Sequence, residues 1–251
     1  MDNWKHTLRS IWAICWKDVK TYYAKGPIVV MGILFPFFLW LAFQIGRGLE
    51  VREGIAPLIA ITTFFTSSAV TPIILPWETR QKTLEMLLAR PITITRILIG
   101  DMLASMLFGL SFSLLPVLYG LLLGITPSNL TVLLGILVLA TLEFSTLGVL
   151  FSAMPTDVPA DIVMISSAVK LPLIFISGTF MPLNQLPKIM RYIALFSPLT
   201  YVTDLIRGLY GGDNYFPYFF DISMTALYTG IFIIFTIKLH KITIVKRLQL
   251  K

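Results

Sequence analysis

LTVLLGILVLATLEFSTLGVLFSAM, residues 130–154, holds a single charged side chain, Glu143, in 25 positions. A helix of roughly 20 apolar residues crosses a hydrocarbon layer of about 30 Å, so this run is long enough to span a bilayer. Four more runs have the same character, at 27–45, 55–75, 97–125 and 216–237. A sixth, 158–177, qualifies if Lys170 is accommodated inside it. The whole chain of 251 residues is 56% hydrophobic and only 13% charged, against about 25% charged in soluble domains. Its mean hydropathy is +0.82. The expected fold is an all-α integral membrane protein of six transmembrane helices, one transmembrane domain over 1–251 with no room for a separate soluble domain.

Lysine and arginine set the orientation. Lys5, Arg9, Lys17, Lys20 and Lys25 precede the first run, Arg80, Lys82, Arg90 and Arg96 follow the second, and Lys238, Lys241, Lys246, Arg247 and Lys251 end the chain. The opposite side has Arg47, Arg52, Lys188, Arg191 and Arg207. Fourteen against five places both termini in the cytoplasm. The loop between the fourth and fifth runs has no basic residue, which the rule does not explain. With the net charge of +7, basic ends read as an anchor to anionic membrane lipid, and nucleic acid is not an expected partner. No apolar core follows the first basic residues, so no signal peptide is expected, and a prokaryotic plasma membrane fits.

Residues 1–25 read as an amphipathic helix. Trp4, Leu8, Ile11, Trp12, Cys15, Trp16 and Val19 fall on one stripe with Lys5, Arg9, Lys17 and Lys20 off it. Trp4, Trp12 and Trp16 beside lysines suit a helix in the membrane interface, although packing on a soluble partner produces the same stripe.

Charge is concentrated again between the second and third runs, in PWETRQKTLEMLLARPITITRILIG, residues 76–100. Pro76 suits a first helical turn, Leu84, Leu87 and Leu88 fall at i, i+3 and i+4, and Pro91 stops the helix. Glu78 stands four residues before Lys82, the favourable order for a helical pair worth about 0.3 kcal/mol. A helix over 77–90 carrying Trp77, Glu78, Arg80, Lys82, Glu85 and Arg90 is expected, either as a docking element or as a plain solvated loop.

On the other side, residues 180–212 predict two short helices, one opened by Pro187 and one over 199–210 closed by Gly211-Gly212. Neither is long enough to span, and both are apolar enough to re-enter the outer leaflet against protein. They read as a lid over a pathway or as a structural cap.

Two charges lie deep in the expected spans. At 1.5 Å per residue, Glu143 and Lys170 both sit roughly 16–18 Å from the cytoplasmic boundary. A short loop joins their antiparallel spans, and a lone charge at that depth costs about 3 kcal/mol. The expectation is a Glu143–Lys170 pair, serving either helix pairing or a polar spot in a substrate path. Asp101 and Asp221 are expected at span ends, in the interface. His6 and His240 have no clustered partners, so no metal site is expected. Cys15 is the only cysteine.

The order of parts resembles the membrane (permease) subunit of type-2 ABC exporters, whose members move polysaccharides, lipo-oligosaccharides, drugs and ions. The likeness rests on Glu78-Thr-Arg-Gln-Lys-Thr-Leu-Glu85-Met-Leu-Leu-Ala-Arg-Pro91 and on Ser177-Gly178, Pro182, Pro187, Ser197-Pro198-Leu199-Thr200-Tyr201 and Arg207. It covers essentially the whole chain. Lys82 departs from it, standing where the family often has glycine. The resemblance implies that 77–90 is a coupling helix entering a groove on a cytoplasmic ATPase. It also implies a transporter of two such subunits, here a homodimer, with two ATPase subunits that hold ATP and Mg. No cofactor on this chain is implied. The phosphate-cradling GxxxxGK[ST] loop is absent from the sequence, so the motor would be a separate chain and this one not an enzyme. A drug, lipid-like amphiphile or lipid-linked glycan suits the uniformly apolar spans. The alternative, a stand-alone secondary transporter or channel, calls for paired broken helices, and Pro36, Pro116 and Pro172 do not pair into repeats.

Overall fold

Eleven α-helices occur among the described residues of the computed structural model, which are 2–23, 26–48 and 50–248, without side chains at 2–3, 26–33 and 47. Lys25, Lys251 and the side chains of Pro27 and Arg47 lie outside the described residues. Helix α1, Asp2–Asp18, runs into a short π-helical turn, Val19–Tyr23. Then come α2 (Gly26–Arg47), α3 (Val51–Ser68), α4 (Thr71–Arg80), α5 (Thr83–Leu88), α6 (Ile94–Leu122) and α7 (Leu130–Phe151). The second half holds α8 (Pro159–Ile176), α9 (Lys188–Ala194), α10 (Pro198–Leu209) and α11 (Tyr218–Leu248).

Five stretches among the described residues are helical, long and apolar enough to cross a membrane: the bent α3–α4 path Val51–Arg80, then α6, α7, α8 and α11. In α2 the described apolar stretch is Leu34–Gly46. Three helices start where the sequence supplies a clear start. Asn129 caps α7, its side-chain oxygen accepting from Val132 N at 3.1 Å, and Pro159 and Pro198 open α8 and α10, where a missing N–H costs nothing.

The main core is built from α3, α7 and α10 with α6 behind them. Ile55, Ile59, Phe64, Leu137, Phe144 and Val202 are fully enclosed in it. Helix α10 is therefore no loose flap. Leu199, Val202, Ile206 and Leu209 seat one face of it in the same core. By contrast, few side chains of α8 and α11 are buried, and these two helices form the rim of the single chain.

Two boundaries differ from the sequence expectation. The second span is longer than 55–75 and is bent at Ala69-Val70. The last continues as one helix past Ile237 to Leu248, so Lys238, Lys241, Lys246 and Arg247 lie on a helix and form no loose tail. Arg247, fully buried, holds the end of this helix against the bundle.

Candidate functional site

The end of the bundle that carries α1, α4, α5 and the end of α11 holds the densest set of polar contacts. Helices α4 and α5 form an arm with two faces. Inward, Leu84 is fully buried and Leu87 and Leu88 are half-buried, packed with Ile14 of α1, Leu75, Ile97 and Leu98. Outward stand Arg80, Gln81, Lys82, Glu85, Met86, Ala89 and Arg90, with Trp77 40% exposed at the edge. Between this arm and α1 lies a hollow of about 280 Å³ lined by Lys17, Tyr22, Glu78, Gln81, Met86 and Arg90.

The arm is not one rod over 77–90. Pro76 lies inside α4, which begins at Thr71, and the helix breaks at Gln81-Lys82 before α5 starts at Thr83. Lys82 has φ 57° and ψ 13°, the only non-glycine among the described residues with positive φ. An L-residue there crowds its Cβ against backbone at a cost of roughly 1–2 kcal/mol. This gives the departure at Lys82 a physical meaning: the position is one that glycine fits. Lys82→Gly is expected to raise the thermal midpoint by about 1–2 °C after glycine's chain entropy is counted. Lys82→Val should lower it, and melting curves of the three proteins in detergent check both.

Glu78 does not pair with Lys82. It turns inward, buried, and meets Lys17 of α1 in an ion pair. Lys17 also reaches Asp18 at 2.9 Å, and the Asp18 carboxyl meets that of Asp101 on α6. Asp101 is thus buried in this cluster and is not on the surface of the bundle. Burial of the Lys17 stem works to lower its pKa, but the fields of Asp101, Asp18 and Glu78 outweigh that and hold it above the ordinary lysine range. Burial, with Asp18 beside it, raises the Cys15 thiol. It is an inert core group.

The tryptophan stripe of α1 is split. Ile14, Cys15 and Asp18 face the bundle, where a side chain at Gly100 would strike Ile14 at 2.6 Å. Trp4, Trp12 and Trp16 point outward, exposed by 71%, 59% and 52%, and Lys20 lies over the Trp16 ring at 5.0 Å. Indoles left out of the protein with lysines beside them suit an interfacial position.

Arg247 is the residue that sequence reasoning missed. Its guanidinium donates to the carbonyls of Ser152, Met154 (2.5 Å) and Thr156 (3.2 Å) and to Thr79 Oγ1 (3.3 Å). It therefore ties the α7–α8 loop to the arm. Two turns earlier His240 meets Ser152 Oγ at 3.1 Å and the Thr236 carbonyl at 2.8 Å. Among the described residues no group of His, Cys, Asp and Glu has metal-holding geometry.

At the opposite end, Pro182 precedes a 3-10 turn, Pro187 caps α9 and Pro198 opens α10. The buried Arg207 donates to the carbonyls of Gly178 (2.8 Å) and Thr179 (3.1 Å), and Tyr201 to that of Leu195 (2.8 Å). Helix α9 leaves Ile189 and Tyr192 exposed.

The expected Glu143–Lys170 pair does not form. Both side chains are buried, but neither Glu143 oxygen has a hydrogen-bond partner, and Lys170 donates to the Ser68 carbonyl at 3.0 Å. Helix α8 packs mainly on α4, and its narrow buried face, Ile162, Ser166, Lys170 and Ile174, looks at the α3–α4 bend and not along α7.

Comparison with known proteins covers both ends of this architecture. The model of the ABC-2 type transporter family matches residues 9–210, from α1 through α10. The chain belongs to the ABC-2 type transporter family. It is a multi-pass membrane protein, the membrane component of an ABC transporter. Two relatives are Nodulation protein J of Rhizobium leguminosarum bv. viciae, 24% identical over 78% of this chain and 80% of its own length, and Nodulation protein J of Rhizobium leguminosarum bv. trifolii, 24% identical over 79% and 80%. For this ABC-2 protein, the match includes the arm, its left-handed break and the short helices at the opposite end.

Proposed function

We propose that this ABC-2 protein is the membrane subunit of an exporter driven by a separate cytoplasmic ATPase. The arm α4–α5 is its docking element. The observation that carries this is the arm's split character. One face is locked into the bundle by Leu84 and the Glu78–Lys17 pair, while the other presents Arg80, Lys82, Glu85, Met86 and Arg90 with nothing among the described residues covering them. Of the six residues expected to couple, Glu78 belongs to the anchoring side. A rigidly anchored arm with an exposed charged face can pass a domain movement into α3 and α6, which continue from its two ends. ATP and Mg belong to the ATPase.

Two copies of this chain and two ATPase subunits make the transporter in this reading. The exposed α8 and α11 leave room for a second copy and for lipid. Six spans cross the plasma membrane with both termini cytoplasmic, α1 lies in the interface, and α9–α10 form a re-entrant outer cap. The cargo is an amphiphile, either a drug, a lipid-like molecule or a lipid-linked glycan.

Gentle purification of the tagged chain from its native membrane tests the reading. A subunit that hydrolyses ATP is expected to co-purify at one copy per chain, and the double reversal Arg80→Glu, Glu85→Arg should strip it away without lowering the thermal midpoint. A chain that purifies alone and moves solute in vesicles without ATP overturns the proposal in favour of a secondary transporter or channel.

A further inference from the structure

The bend between α3 and α4 exposes backbone that a straight helix would satisfy itself. In an α-helix the N–H of residue 72 donates to the carbonyl of residue 68, but residue 72 is proline and has no N–H. The Ser68 carbonyl is thereby released inside the bundle, where an unpartnered polar group costs free energy. Lys170 of α8 fills the gap, donating to it at 3.0 Å although 102 residues away in sequence. The neighbouring carbonyl, Ser67, accepts from Ser105 of α6 at 2.5 Å. Helices α6 and α7 also close on the bend. A Cβ at Gly109 would meet Ser67 Oγ at 1.9 Å and Ser67 Cα at 3.0 Å, and one at Gly148 would meet Thr71 Oγ1 at 2.1 Å and Ser68 Cα at 3.2 Å. The bend is thus held from three sides, and only from α8 by a charge.

We propose that Lys170 is a positioning residue that stands in for the missing N–H of Pro72 and makes α8 follow the docking arm. The route is short and continuous. Helix α4 runs from the bend to the arm's exposed face, and Lys170 grips the bend. One turn along α8, the carbonyl of Leu173 accepts from Ser197 Oγ at 3.1 Å, at the head of α10. Movement of the arm is thereby carried across the membrane to the outer helices without passing through the packed α7. Two sites joined this way share a physical path, and coupling between them is a measurable quantity. The transmission half of this proposal rests on the ATPase-driven reading above, whereas the backbone half does not.

The test is a pair of substitutions with separable outcomes. Lys170→Met removes the donor and keeps the stem, and Pro72→Ala offers the Ser68 carbonyl an N–H from the first turn of α4. In the purified chain Lys170→Met should lower the thermal midpoint by about 5 °C, and Pro72→Ala added to it should restore most of the loss. No restoration overturns the stand-in role. Spin labels at the exposed positions 93, where the arm joins α6, and 189 on α9, in a Cys15→Ser background, then report whether the two ends move together when Mg-ATP is added to the complex with its ATPase. The wild-type distance should shift. It should not shift in Lys170→Met or in the stabilised double variant, because Pro72→Ala mends the backbone without tying α8 to it. A normal shift in the double variant overturns the transmission role. Absence of any ATP-driven shift in the wild-type complex instead counts against the ATPase-driven reading and leaves the thermal result standing.

Discussion

Lys17→Met lowers the thermal midpoint of the purified protein by about 6–12 °C at neutral pH. The ammonium of Lys17 contacts Glu78 and Asp18 directly, and Asp101 lies behind Asp18. All three carboxylates are fully enclosed. Removing one partner of a buried pair costs about 3–5 kcal/mol, because the remaining charge is left without compensation. Here three acids share one cation whose side chain keeps 31% of its exposure, so water relieves part of the loss and about 3 kcal/mol is expected. For a chain of this size each kcal/mol moves the midpoint by roughly 2–4 °C. The pH dependence identifies the cause. Lys17 titrates above its ordinary range in the folded protein, so the wild-type contribution is fully present at and below the unfolded lysine value of about 10.4 and is lost only as pH rises through the folded one. Burial raises the Glu78 carboxyl, and in Lys17→Met it can lose its charge by taking up a proton, so the deficit should shrink as pH falls from about 8 to about 5. A deficit that is flat with pH would mean that only packing of the lysine stem had been lost. Glu78→Gln in the same protein should recover part of the midpoint, since one of the uncompensated charges is then gone.

The parts legible in the sequence were those set by length and period. Residues 130–154 announce α7 because one charge in 25 positions leaves little choice, and Leu84, Leu87 and Leu88 place the inward face of α5 for the same reason. Direction around a helix axis was not legible. Lys170 falls on a face repeated every four residues, Ile162, Ser166, Lys170, Ile174, and that stripe meets α4 because α8 leans there. No local signal says so. Glu78 shows the same limit: its helical neighbour Lys82 is displaced by the left-handed turn, and a lysine 61 residues away takes its place. The one sequence signal for that turn was indirect, a lysine standing where the resemblance leads one to expect glycine. Asp101 lies near the start of α6, and its burial there was not legible, because it is α1, far back in the sequence, that folds over that end.

Arg247→Gln should separate the C-terminal helix from the arm and lower the midpoint by about as much as loss of Lys17. The α7–α8 loop has no lysine or arginine of its own. Arg247 delivers a guanidinium to it from α11. A planar five-donor group can hold several carbonyls at once, as a point-like ammonium cannot. Glutamine retains one donor group and satisfies at most part of the set. Hydrogen bonds from a charged donor contribute about 1.5–3 kcal/mol each, and some of the freed carbonyls will find water at the bundle end, so about 3 kcal/mol is the expected net loss. Arg247→Lys should recover less than half. Hydrogen exchange discriminates this from general loosening. Amides of 152–158 and of the last turns of α11 should lose protection together, because one side chain joins them, while those of α3 and α7 in the main core keep theirs. Exchange that rises equally in all four segments would show that Arg247 supports the whole fold and has no special hold on the loop. The contact to Thr79 gives the functional consequence. It lies next to Glu78 on the inner side of the arm, so freeing it removes the second of the two polar anchors that keep α4 seated. Binding of the ATPase to Arg247→Gln should therefore weaken even though every exposed residue of the arm is intact.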